Sequence, residues 1–163
     1  MSGVTDEVDG RGAGDVVVAR LGPKRRLMPE GHWDWSMPVP FSQGWKIGNV
    51  VFVGGQLSAD ENGHVVGAGD IEVQTRNTFE NITRVLSDAG ATWKDVVKIN
   101  TFYAFEGSGA EVEDFWQRMT KVRMEFLPDP GPCGTAVRVG GFMSDGFLIE
   151  VEVIAVIADQ ATD

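Results

Sequence analysis

The chain is poor in cysteine, histidine and basic residues, and it has no long apolar run. Its 163 residues include one cysteine, Cys133, and two histidines, His32 and His64. A single cysteine excludes an intrachain disulfide. Neither histidine stands at a metal-ligand spacing such as His-Glu-x-x-His, so no metal site is expected. Only 14 Lys and Arg face 24 Asp and Glu, a net charge of −10. Nucleic-acid binding depends on cationic surface that neutralises phosphates, so this balance argues against a nucleic-acid partner. The one basic cluster, Lys24-Arg25-Arg26, reads as part of a solvated, turn-like segment over residues 22–28. No apolar stretch approaches the roughly 20 residues that span a bilayer, so no membrane partner is expected. Residues 1–15 are acidic and glycine-rich, with neither a basic leader nor an apolar segment behind it. No secretory signal is therefore expected, and the cytoplasm is the default location.

What is present suits one soluble domain. Hydrophobic residues make up 42% and charged residues 23%, enough to build a single core. We expect residues 1–15 to be a disordered tail and 16–160 to be the domain, with 15–21 as a short added strand. Residues 32–43 hold two tryptophans and two prolines in a loop too apolar to hang in solvent. Trp45–Ile47 and Val50–Val53 flank Gly48-Asn49 as a hairpin. Residues 56–69 read as a loop, with Gly54-Gly55 as a strand-end turn; the pair lacks the spacing and following lysine of a phosphate loop. Asp70 begins a helix whose Ile71, Thr75, Phe79, Ile82 and Leu86 recur at helical spacing, and Gly90 closes it. Val96–Phe105 alternates as a strand, Glu111–Leu127 is a second helix, and residues 134–142 and 147–157 are the last strands. The fold class is therefore α+β, a mixed sheet with two helices on one face. The other face, with Trp45, Phe52 and Phe102, is too apolar to stay wet, which points to self-association.

The last strand carries the chemistry. Glu150 and Glu152, spaced i and i+2, share one face, and Ile149, Val151 and Val153 share the other. Ionised acids are costly to bury without partners, so the acid face should meet a pocket, an interface or water. Two long arginine and histidine side chains could add charge to such a pocket. Arg138 points the same way as Gly134 but lies about 13 Å further along the strand, so it reads either as a pocket cation or as one half of a structural ion pair. His32 reads as a cleft residue or an exposed loop histidine.

Several segments carry a family resemblance. Val39-Pro40-Phe41-Ser42-Gln43, Phe52-Val53-Gly54-Gly55-Gln56, the long run Asp70–Asn81, Pro132-Cys133-Gly134-Thr135 and Ile149-Glu150-Val151-Glu152 together resemble the YjgF/RidA family of enamine and imine deaminases, also called the endoribonuclease L-PSP family. The resemblance spans residues 40–156. It implies a chorismate-mutase-like fold, a homotrimer with ligand clefts between subunits, a small-molecule ligand and no cofactor. It assigns Glu150 the role of orienting the attacking water. It places Phe41, Gly55, Gln56, Cys133, Gly134 and Thr135 at the substrate cleft, to which strand direction alone adds Arg138 as a substitute cation. Two positions depart from the family pattern. Gly134 stands where deaminase members have an arginine that clamps a substrate carboxylate, and Phe41 stands for a tyrosine. Both make the cleft less polar, which favours a larger or less acidic electrophile. A non-catalytic metabolite-binding module is the alternative reading, and a ribonuclease the third.

Overall fold

Residues 22–158 are described in the computed structural model; the tail expected at 1–15 and the strand expected at 15–21 fall outside them. The elements run β1 (Lys24–Leu27), β2 (Gly44–Ile47), β3 (Val50–Leu57), α1 (Ile71–Ala89), β4 (Val96–Ala104), α2 (Ala110–Arg123), β5 (Cys133–Val139) and β6 (Ile149–Val156). They form one sheet in the order β1-β2-β3-β6-β4-β5. Only the β4–β5 pair is parallel, and α2 is the crossover such a pair requires.

Local chemistry sets the element ends. The Asp70 carboxylate accepts from the Glu72 and Val73 amides at 2.9 and 3.4 Å, capping the first turn of α1. Gly90, at a φ of 76°, turns the chain so that the Ala91 amide reaches the Leu86 carbonyl at 2.8 Å. The core fills the space between the helices and one sheet face. Val51, Ile149, Val151, Ala155, Phe79, Ile82 and Met119 are all fully buried there. Phe79 stacks on Trp93 with ring centroids 4.8 Å apart.

Three expected boundaries are corrected. The basic segment at 22–28 is a strand, because Lys24–Leu27 pairs with Gly44–Ile47 and Leu27 alone turns into the core. Gly54-Gly55 lies inside β3 rather than at its end. The strand runs to Leu57 and resumes as an Ala59–Val65 bridge within the expected loop. The second helix stops at Arg123, four residues early, and tightens into turns before Pro128. Among the described residues no helix is long and apolar enough to cross a membrane.

Candidate functional site

The alternation of β6 divides its side chains as their chemistry requires. Ile149, Val151 and Val153 enter the core, while Glu150, Glu152 and Ile154 are half-buried on the face away from the helices. Glu152 pairs across the sheet with Asn100, whose Nδ2 donates to its carboxylate at 2.7 Å. Glu150 lies between Leu57 of β3 and Phe102 of β4. Beside the acids the β3 register slips between Val53 and Gln56, so Gly54 and Gly55 together face Glu152 as a β-bulge. The bulge makes room for Glu150: a Cβ on Gly55 would lie 1.9 Å from its Oε1. Any larger residue there would have to displace the carboxylate. No hydrogen bond from a described residue stabilises the Glu150 charge. Burial, and then the neighbouring Glu152 carboxylate, push its pKa above the ordinary carboxylate range.

Next to Glu152 the same face opens into a cleft of about 450 Å³. Phe41, Trp45 and Phe52 form its apolar walls, and Lys98, Asn100 and Glu152 are its charged and amide groups. Lys98 Nζ donates to Thr135 Oγ1 at 3.0 Å, which holds the ammonium toward the β5 side. Lys98 closes the family-like run Asp95-Val96-Val97-Lys98, but nothing in that run marks it, or Asn100, as a cleft residue. Their only sequence signal is the alternation of β4, which sets Lys98, Asn100 and Phe102 on one face.

The residues anticipated from sequence separate into three groups. Glu150, Gly55, Cys133 and Thr135 lie on the acid face with Phe41 at the cleft wall. Cys133 is exposed, its Sγ 3.1 Å from the Val97 carbonyl. Gly134 faces the other way, where a Cβ would meet Ile99 Cγ2 at 3.4 Å. Arg138 shares that second face. Its Nη1 donates to the Gly107 carbonyl at 2.9 Å and its guanidinium lies 6.0 Å from the Phe105 ring centre. It ties the loop after β4 to β5 and lines a separate hollow with Glu106 and Leu148.

Gln56 lies beneath the face, fully buried. Its Nε2 donates to Gln43 Oε1 at 2.8 Å and to the Gly54 carbonyl at 3.2 Å. Its Oε1 accepts from Trp33 Nε1 at 3.3 Å and pairs with His32 Nε2 at 2.8 Å. Gln43 in turn donates to the Trp33 carbonyl at 2.5 Å. These amides fasten the tryptophan-rich loop to β3, and Trp33, Trp35 and Phe41 pack together with centroids 5.3 to 6.0 Å apart. With Gln56 Oε1 an obligate acceptor, His32 carries its proton on Nε2. His32 is half-buried rather than exposed, and burial lowers its pKa. Among the described residues no cluster of three or more His, Cys, Asp or Glu side chains is placed to hold a metal ion.

Comparison with known proteins places this geometry in a family. The model of the family described as Endoribonuclease L-PSP matches residues 36–157. A RutC family protein of Pyrococcus abyssi is 39% identical over 117 residues, covering 71% of this chain and 85% of that protein. The 3-aminoacrylate deaminase RutC of Acinetobacter baylyi is 35% identical over 136 residues, covering 82% of this chain and 98% of that protein. The crystal structure of RidA from Psychrobacter sp. PAMC 21119 superposes with a TM-score of 0.69 at 26% identity, over 82% of this chain and 99% of that one. The α+β sheet with its two helices is the fold of these relatives, and the chain belongs to the YjgF/RidA, or endoribonuclease L-PSP, family.

Proposed function

We propose that the chain is a hydrolytic deaminase of small imines or enamines, working as a homotrimer whose subunits together wall the Glu150 face. The observation that carries this reading is Glu150 itself. It is a half-buried carboxylate over a glycine bulge, without a described hydrogen-bond partner and with its pKa raised toward the range where a group takes and returns protons. The similarity to a 3-aminoacrylate deaminase supports the same chemistry, since 3-aminoacrylate is an enamine. In the proposed reaction Glu150 accepts a proton from water as its oxygen bonds to the imine carbon and the C=N π electrons move to nitrogen. The proton returns to nitrogen to give a carbinolamine. Glu150 then takes the carbinolamine hydroxyl proton and delivers it to nitrogen as the C–N bond breaks, so that the oxygen electrons form the C=O bond and ammonia leaves. Thr135 and Cys133 border this face, and Phe41 and Gly55 shape it.

The test is imine decay, with an amino-acid oxidase generating imines in situ. The expected result is acceleration by the wild type and about a 10²-fold loss in Glu150→Gln, the size of a general acid–base contribution. Equal decay with and without the wild type would overturn the reading. One observation favours a binding module instead: Gly134 leaves its position without the family's carboxylate clamp. That reading expects no turnover in the wild type and turnover in Gly134→Arg. The new arginine would reach the Glu150 face of a neighbouring subunit, since within one chain residues 134 and 150 lie on opposite faces. The charge of −10 ranks ribonuclease activity last.

A further inference from the structure

The family resemblance puts Gln56 at the substrate cleft, yet it pairs with Val151 and points to the helix side of the sheet, fully buried. From there its side chain acts on the glycine bulge. Trp33 Nε1 can only donate, so Gln56 Oε1 must accept from it and the amide cannot flip. Both hydrogens of Nε2 then have fixed destinations, Gln43 Oε1 at 2.8 Å and the Gly54 carbonyl at 3.2 Å. Gln43 donates onward to the Trp33 carbonyl, which closes the bonds into a ring. The Gly54 amide donates in turn to the Gln43 carbonyl at 2.8 Å. Gly54 is thus held at its N–H by the Gln43 main chain and at its carbonyl by Gln56.

A bulge interrupts the ladder and leaves peptide groups without cross-strand partners, and buried peptide groups need partners. Gln56 supplies one. The Gly54 carbonyl belongs to the peptide that joins Gly54 to Gly55, so holding it holds the Gly55 Cα. That Cα is the backbone beneath Glu150, close enough that an added Cβ would lie 1.9 Å from Oε1. We infer that Gln56 is a positioning residue for Glu150: the amide ring sets the Gly54–Gly55 peptide, and that peptide sets where the carboxylate lies. This deepens the deaminase reading and rests on it for the effect on turnover; the effect on the carboxylate is measurable without turnover. Burial, and after it Glu152, raises the Glu150 pKa. A bulge released from Gln56 lets water reach the carboxylate, and the pKa then falls toward the ordinary range.

Three variants of the full chain test this. Gln56→Met keeps length and apolar bulk but donates nothing. Imine decay is expected to show kcat reduced about 10²-fold with KM within about threefold, since a displacement of about 1 Å costs that much in rate. Gln43→Met leaves the bond to Gly54 and frees only the far side of the Gln56 amide, so a loss of about tenfold is expected. Asn81→Ala is the control. It removes two buried hydrogen bonds, to the Leu57 and Ala59 carbonyls just past the bulge, and should lower the urea midpoint while kcat stays within about twofold. The Glu150 carboxyl carbon, assigned by its absence from Glu150→Gln, is titrated by carbon NMR. Its midpoint should fall toward the ordinary carboxylate range in Gln56→Met and stay in place in Asn81→Ala. Should the wild type not turn over imines, the deaminase reading fails and this titration alone decides the positioning role. Should circular dichroism show Gln56→Met unfolded, the comparison of Gln43→Met with Asn81→Ala decides it. An unmoved Glu150 titration in Gln56→Met, a change confined to KM, or equal effects in Gln43→Met and Asn81→Ala would overturn the inference.

Discussion

Replacing Glu150 by glutamine tests two opposite consequences of one burial. The folded protein raises the pKa of this acid, so between its ordinary and its raised value the native state binds more protons than the unfolded chain. Its contribution to stability is therefore complete at low pH and is lost as pH rises through the folded value. At neutral pH glutamine removes the strained charge. The expected outcome of a thermal melt is a Tm rise, roughly 2–4 °C per kcal/mol recovered in a chain of this size, together with the activity loss stated above. The rise should vanish at pH 4. Gly55→Ala is expected to do the reverse. Its Cβ collides with the Glu150 carboxylate and displaces it, and a displacement of about 1 Å costs on the order of 10²-fold in rate; imine decay checks it. That Glu150 shares a face with Glu152 was legible in the sequence from strand alternation, whereas the bulge at Gly54-Gly55 was not, because a glycine pair reads equally well as a strand-end turn. Lys98 was not, since a lone lysine on an alternating strand looks like any solvated residue until Thr135 and Glu152 are placed around it. Gly134 and Arg138 were rightly read as sharing a face; that this face is the one opposite the acids depends on the β4–β5 register, which no local pattern encodes.

The tryptophan-rich loop is held as an element by side-chain amides. Gln56→Ala would strand Gln43, Trp33 and His32 as unpaired buried groups, and the expected loss is about 3 kcal/mol or more, measured by urea unfolding. His32 adds a pH dependence of known sign. Burial lowers its pKa, a tendency its bond to Gln56 opposes and nearby Arg84 assists. The unfolded chain thus takes up a proton first, so stability falls as pH drops from the ordinary value of 6.5 toward the folded one. Chemical denaturation at pH 7.5 and pH 5.5 should show a drop that His32→Asn diminishes. That the loop covers something follows from its composition. What fastens it does not, because two glutamines distant in sequence look polar and surface-seeking until the fold buries both. The helices were legible nearly to the residue at Asp70 and Gly90, where capping chemistry is local. The strand Lys24–Leu27 was not, since its charged residues belong to an edge whose pairing is the only thing that makes it a strand.

For the molecule as a whole, one sheet face has no helix to cover it. Phe52 and Val137 are 43% and 42% exposed there, and every residue of β5 from Cys133 to Arg138 is exposed. Surfaces of this kind are covered by association. We expect light scattering to report a mass three times that of the 17.7 kDa chain, and Val137→Asp to shift it toward one. A monomeric wild type would remove the intersubunit cleft from the proposed function.

The openness of β5 has a further meaning for how such proteins diverge. A side chain added at Gly134 meets little beyond Ile99, at ordinary contact distance. A small side chain at that position therefore costs the fold little. A β-carbon can be added at Gly134 with almost no repacking, whereas one added at Gly55 must push the Glu150 carboxylate aside. The scaffold therefore tolerates new side-chain chemistry along its edge strand far more readily than beside the acid of β6.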